Sequence, residues 1–223
     1  EVYLMNISQS IKIPRGYIKG FSQMSNQFLD LINKRRTIYA IGKDVTHSTE
    51  YLTDLIQTAI KQSPSSFNSQ SSRAVILFNQ EHEKFWGFVN QKLKSYAKDE
   101  TAAAKSSAKM DSFAAGVGTV LFFEDMSVVE DLQTKYPAYA ENFPIWAEHS
   151  TAMAQFAVWT ALHSDGVGAS LQHYNPIVDA EVHQEWNVPE SWKLRAQIVF
   201  GSIEGEAYPK GYMNDEDRFK VFK

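Results

Sequence analysis

Residues 151–163 read TAMAQFAVWTALH. At about 100° per residue this segment is apolar almost all the way round, and a helix of that kind has to be buried on most of its faces. Its alanines, Ala152, Ala154, Ala157 and Ala161, let another helix approach closely. Two settings satisfy the pattern, the central helix of a monomer core or the core of a dimer. Asp165-Gly166 ends the segment, with Gly166 suited to the left-handed position after a helix.

On either side the pattern alternates between helices and short buried strands. Downstream, 167–171 reads as a strand, 177–186 as a helix, and 195–203 (RAQIVFGSI) as the clearest long strand. The tail, 205–223, is polar. Upstream, 127–136 forms a helix stopped by Pro137. Gly116 and Gly118 precede a buried strand at 119–123 (TVLFF), which Glu124 and Asp125 end. Residues 100–114 are Ala- and Lys-rich with high helix propensity, and 81–97 is helical as well. Residues 74–78 (AVILF) read as another buried strand. Ser48 or Thr49 caps a helix whose Leu52, Leu55, Ile56, Ala59 and Ile60 share one face until Pro64 stops it. Ser25 caps a first helix over 26–35, with Phe28, Leu31 and Ile32 on one side. Strands and helices mix without strict βαβ alternation, which predicts an α+β fold rather than a doubly wound parallel sheet.

No internal repeat and no Gly-, Ser- or Pro-rich linker divides the chain, so 24–223 reads as a single domain. Residues 1–23 (EVYLMNISQSIKIPRGYIKGFSQ) differ in character from the rest, and Met24-Ser25-Asn26-Gln27 resembles a natural start. These 23 residues lack the apolar stretch of a signal peptide and read as a tag or upstream extension.

The 223 residues are 43% hydrophobic and 22% charged, ordinary for a globular protein able to bury a core. The net charge is −4 and the cations are scattered, so nothing resembles a nucleic-acid footprint. No apolar run is long enough to span a bilayer. The chain has no cysteine, which removes disulfides, thiolate ligands and Cys nucleophiles and suits a reducing cytoplasm. The six histidines form no H-E-x-x-H pair, and Glu81-His82-Glu83 presents neighbours that point apart, so no metal site is expected. There is no G-x-S-x-G elbow. Gly116-Val117-Gly118 and Gly166-Val167-Gly168 each lack the third glycine of a dinucleotide fingerprint and read as turn glycines.

Three segments remain. Lys34-Arg35-Arg36-Thr37 ends a helix, where cations suit the dipole but also offer guanidinium forks to a phosphate. Ser63-Pro64-Ser65-Ser66-Phe67-Asn68-Ser69-Gln70 is either a polar turn or a loop of hydroxyls, amides and N–H groups around a planar polar ligand. Asp217-Arg218-Phe219-Lys220 is a solvated tail or a second cationic contact.

Taken together and in order, these segments resemble the nitroreductase family. Arg35-Arg36-Thr37 is similar to the family's Arg-x-Ser/Thr phosphate motif. Pro64, Ser65, Ser66, Phe67, Asn68 and Gln70 match its P-S-x-x-N-x-Q loop, which reaches FMN from the partner subunit. Gly166 to Tyr174 matches a Gly-rich stretch ending beside the isoalloxazine. Arg218, assisted by Lys220, stands where the family places a C-terminal phosphate-binding Arg. Leu171-Gln172-His173-Tyr174-Asn175 is nearest to a stress-response subgroup of bacteria and yeast. Two features depart from the pattern: Ser71-Ser72-Arg73 replaces the Pro-Trp of many relatives, and Tyr39 stands where many carry Lys or Arg.

The resemblance implies a three-layer α+β sandwich, a central mostly antiparallel sheet flanked by helices, in an intertwined homodimer with FMN at the interface. It implies a cytoplasmic oxidoreductase in which FMN N5 carries hydride from NADH or NADPH to a nitroaromatic, quinone or similar small acceptor, by a ping-pong mechanism. The protein would supply no acid or base of its own. Arg35, Arg36, Thr37, Arg218 and Lys220 would hold the phosphate, Ser65, Asn68 and Gln70 the ribityl chain and flavin, and Leu171, Gln172 and His173 the ring edge. Two alternatives share the fold: a flavin-binding stress or regulatory protein with little turnover, and another flavin reaction such as reductive dehalogenation, for which 95–112 would be the lid.

Overall fold

The computed structural model describes residues 26–223, so the 1–23 extension and the Ser25 cap lie outside the described residues. The first helix, α1 (Gln27–Lys34), is capped by Asn26, whose side chain accepts from the amides of Phe28 and Leu29. A short strand β1 (Ile41–Gly42) follows, then α2 (Thr49–Gln62). Ser48 caps α2 by accepting from the Tyr51 amide. β2 (Ser72–Phe78), α3 (Asn79–Tyr96), α4 (Glu100–Ala114) and β3 (Gly118–Asp125) come next. Then come α5 (Met126–Lys135), α6 (Phe143–Ser164), β4 (Gly168–Gln172), α7 (Asp179–Glu185), β5 (Trp192–Ile203) and α8 (Asp215–Arg218).

Among the described residues five strands form one sheet, and its ladders are antiparallel. β5 is the hub: it pairs with β3, β4 and β1, while β2 pairs with β3. Both faces are covered, so β3 is buried at every position. Val120 and Phe122 of β3, with Ile198 and Phe200 of β5, pack against Leu52 and Ile56 of α2 and Ala154, Val158 and Leu162 of α6. Leu121 and Phe123 face the other way, onto Phe85, Trp86 and Val89 of α3, Met110 and Phe113 of α4 and Val182 of α7. This is the expected three-layer α+β sandwich. Each fully buried Phe or Leu contributes about 1.5–3 kcal/mol relative to an exposed one.

α6 is the longest element, about 33 Å at 1.5 Å per residue, and it begins eight residues before the apolar stretch that marks it in the sequence. Pro144 sits in its first turn, where a missing N–H costs nothing. Its end follows the expectation. Gly166 has φ +74°, its amide donates to His163 O, and the Val167 amide reaches back to Leu162 O.

Several boundaries differ from the sequence reading. Glu124 and Asp125 do not follow β3 but are its last two residues, opposite Lys193 and Trp192. Gly118 is not a turn glycine. It opens β3, and a Cβ there would lie 2.9 Å from Leu77 O and against the Phe200 ring. Residues 95–112, the lid segment of the dehalogenase alternative, close the α3–α4 pair, and α4 is anchored by buried Met110 and Phe113.

Candidate functional site

The α1 C-terminus delivers the first cationic segment to the sheet. Arg35 caps the helix in an extended conformation, with its amide donating to Leu31 O. Thr37 then forms a parallel bridge with Ala169, and the Ile38 amide donates to Ala169 O at 3.0 Å. Ile38 is buried, so the segment is fastened beside β4. The expected phosphate segment and the expected ring-edge segment therefore adjoin in one chain. From Ala169 to His173 is about 13 Å along an extended strand.

The Arg35 guanidinium lies over the Trp159 ring at 4.3 Å and the Phe156 ring at 5.9 Å, both on α6. Its Nε is buried, and so are Trp159 Nε1 and His163 Nδ1. None of the three has a hydrogen-bond partner among the described residues. No carboxylate forms an ion pair with Arg35 or Arg36 there. Burial lowers the Arg35 pKa, as does neighbouring Arg36. Burial, then Arg35 and Lys34, hold His163 below the usual imidazole value. Unsatisfied polar atoms and unpaired positive charge in one half-buried place suit an anion. Arg36 donates to the carbonyl of Tyr208, and Tyr208 stacks obliquely on Tyr39, so the tail starts against the same segment.

At the end of β4, Gln172 Nε2 donates to Ser170 Oγ at 3.0 Å and Leu171 is half-buried, and His173 just beyond it is exposed. Fully buried Gln197 of β5 fixes the exit from β4. Its Oε1 accepts the Tyr174 amide at 2.7 Å, and its Nε2 donates to Asn175 Oδ1 at 3.2 Å. Nothing local in the sequence marks Gln197 or Trp159 for these tasks.

The 64–70 loop begins after α2 at exposed Pro64 and makes a 3-10 turn at Ser66–Asn68. Phe67, Asn68 and Gln70 have φ of 56°, 51° and 51°, the left-handed region that non-glycine residues seldom occupy. Ser65 Oγ accepts from the Gln70 amide at 2.9 Å, and the Ser66 amide donates to Ser150 Oγ of α6 at 3.4 Å. Phe67 turns into a nest of aromatic rings, 4.9 Å from Tyr136 and 5.4 Å from Phe143. The side chains of Asn68 and Gln70 are left exposed.

The loop and the Arg35 cluster do not meet within the chain. The loop touches α6 at Ser150 and Arg35 touches it at Trp159, about 14 Å further along the helix axis. Arg218 and Lys220 also stand apart. Both are exposed, and the Arg218 guanidinium lies over its own neighbour Phe219. Two surface depressions, of about 730 Å³ along Asp179–Glu190 and about 410 Å³ between His47 and Glu204, contain none of the expected site residues. Among the described residues no group of three metal-ligating side chains assembles.

Residues 32–202 match the sequence pattern of the Nitroreductase family. The Saccharomyces cerevisiae nitroreductase FRM2 is 35% identical over 197 residues, 86% of this chain and 95% of its own. The nitroreductase CinD from Lactococcus lactis is 47% identical. Its structures in complex with chloramphenicol and with 4-nitrophenol superpose with TM-scores of 0.81 and 0.80, covering 88% of this chain and all of theirs. A Desulfitobacterium hafniense nitroreductase with bound FMN shares the fold, at 18% identity and a TM-score of 0.65 over 90% of this chain and all of its own.

Proposed function

The chain belongs to the nitroreductase family, and from that premise we propose that it is an FMN-dependent oxidoreductase. In this reading it passes hydride from NADH or NADPH to nitroaromatics, quinones or similar small acceptors in a ping-pong cycle. The observation that carries the reading is the Arg35 cluster: half-buried, unpaired donors fastened beside the strand that leads to Gln172 and His173. A flavin phosphate fits it, because a dianion needs cationic forks and N–H donors when it leaves water. The FMN of the Desulfitobacterium protein and the aromatic nitro compounds of CinD belong to those proteins and agree in chemical class.

Bound FMN would supply the two-electron carrier, taking hydride from a nicotinamide and giving it to an acceptor at N5. The chain's residues bind and orient. Arg35, Arg36 and Thr37 would hold the phosphate. Gln172 and His173 border the ring, held by Gln197. Pro64, Ser65, Ser66, Phe67, Asn68 and Gln70 serve the site of a second copy, since within one chain the loop stands about 14 Å along α6 from Arg35. Arg218 and Lys220 close the phosphate site when the tail is in place. The unit is accordingly a homodimer.

The test is purification and titration. A yellow protein with a flavin spectrum that oxidises NAD(P)H steadily with 4-nitrophenol or a quinone is expected. A colourless protein that takes up no FMN would remove the reading, and a flavin-loaded protein without turnover would favour the regulatory alternative.

A further inference from the structure

At the base of the 64–70 loop lies a buried carboxylate that the chemistry above does not use. Glu124 is fully buried in β3, directly opposite Ser72 of β2. One carboxylate oxygen accepts from Ser71 Oγ at 2.6 Å and the other from Ser72 Oγ at 2.7 Å. The nearest arginines are committed elsewhere, Arg73 to Asp125 at 3.0 Å and Arg195 to Glu148. Burial pushes the Glu124 carboxyl above its usual range, against the two hydroxyls. A carboxylate kept in such a place is costly unless its hydrogen bonds secure something.

What they secure is the direction of the chain. Consecutive side chains of a regular strand point to opposite faces. Ser71 and Ser72 nevertheless reach the same carboxylate, so the backbone leaves the pleat between them. The Asp125 amide holds Ser71 O at 3.0 Å, and Arg73 donates to the carbonyl of Gln70. The residues immediately before this knot are Phe67, Asn68 and Gln70, all at positive φ without glycine. Two serines on one carboxylate fix the backbone where the loop joins β2.

We infer that Glu124, acting through Ser71 and Ser72, is a positioning residue of the flavin-facing loop, holding Asn68 and Gln70 in their binding conformation before the ligand arrives. The inference rests on the flavoprotein reading for its ligand and on the loop geometry for its cause.

The experiment measures amide hydrogen exchange over residues 66–72 in flavin-free protein, FMN affinity by fluorescence quenching, and visible circular dichroism at saturating FMN. The proteins compared are wild type, Glu124→Ala, Glu124→Gln and Ser71→Ala. In Glu124→Ala, loop exchange and the FMN dissociation constant should each rise about tenfold, the scale of one charged hydrogen bond. Its bound-flavin dichroism should change as well. Glutamine can accept from one serine and donate to the other, so Glu124→Gln should stay within about threefold of wild type. A folded Glu124→Ala protein with wild-type exchange, affinity and dichroism overturns the inference, and so does a lowered Tm with those three unchanged. If Glu124→Ala does not fold, Ser71→Ala carries the same readouts, and no change in them overturns it. A wild-type protein that binds no FMN removes the flavin reading, and the exchange data then decide the role of Glu124 in holding the loop.

Discussion

The Arg35 guanidinium stacks on the Trp159 indole with its central carbon 4.3 Å from the ring centroid, while its Nε stays buried without a partner among the described residues. The ring holds the fork in one orientation and leaves its donors for an anion. A charged hydrogen bond contributes about 1.5–3 kcal/mol, so Arg35→Ala should weaken FMN binding by roughly 10- to 150-fold. Trp159→Leu, which keeps the charge and removes the platform, should lose less than Arg35→Ala. Arg218→Ala should fall in the Arg35→Ala range, although within one chain its guanidinium lies over its own neighbour Phe219. Fluorescence titration across the set decides, and equal affinity in wild type and Arg35→Ala would reject the phosphate clamp.

The second expectation concerns assembly. One face of α6 packs on α2 and the sheet, but Ile145, Met153 and Phe156 leave 54%, 41% and 36% of their surface exposed. They fall at i, i+8 and i+11, along one side of the helix. Phe28 and Leu29 of α1, which packs against α6, are exposed as well. A second copy of the chain would cover this strip and bring its 64–70 loop to the Arg35 cluster. Met153→Glu should therefore raise the dimer dissociation constant at least about 30-fold, from burying an unpaired charge, and lower FMN content with it. Sedimentation showing a flavin-loaded wild-type monomer at micromolar concentration would contradict this.

The layered fold was legible because its strands carry unbroken apolar runs and its helices carry stripes. Local pattern is enough to say that such segments are buried. It does not say where they begin when the first turns are mixed. Residues 143–150 (FPIWAEHS) combine Pro, Glu and His, and they are helical because Phe143 and Ala147 find a core beside α5. Glu124 read as the end of a strand because a carboxylate usually faces water, yet the serines that donate to it lie some fifty residues earlier in the chain, at the start of β2. In the site, the order of motifs left unsaid that the segment after Arg35 bridges β4, through Thr37 and Ala169. The platform under Arg35 was hidden, since one tryptophan in an apolar helix looks like any other. The positive φ at Phe67 and Gln70 had no sequence signal, because neither is a glycine.

The extension gives a third expectation. Residues 1–23 share no motif with the rest of the chain, and the matched family region starts at residue 32. Deleting them should leave FMN affinity and turnover within about twofold of the full chain, inside the range of a surface change. A large loss of either would make them part of the working structure.

The last expectation is a stability profile set by His82. The ring is fully buried in α3, with Nδ1 2.8 Å from Thr119 Oγ1. The Trp86 indole N–H donates to the same hydroxyl at 3.0 Å, so the hydroxyl's own proton is free to go to Nδ1. That arrangement suits a neutral imidazole carrying its proton on Nε2. Burial accordingly lowers the His82 pKa from 6.5 to about 4, against a smaller opposite pull from the Ala114 backbone. The unfolded chain binds this proton more readily than the folded one. The contribution to stability is therefore complete above pH 6.5 and is lost as pH falls from there towards about 4. Between pH 7 and pH 4.5 the loss from this group should be roughly 2.5 kcal/mol. His82→Asn, which keeps an acceptor but cannot take up a proton, should be less stable than wild type at pH 7 and lose correspondingly less on acidification. Urea denaturation of both proteins at the two pH values measures the difference. Equal acid sensitivity would mean that His82 is protonated in the folded protein or reached by water.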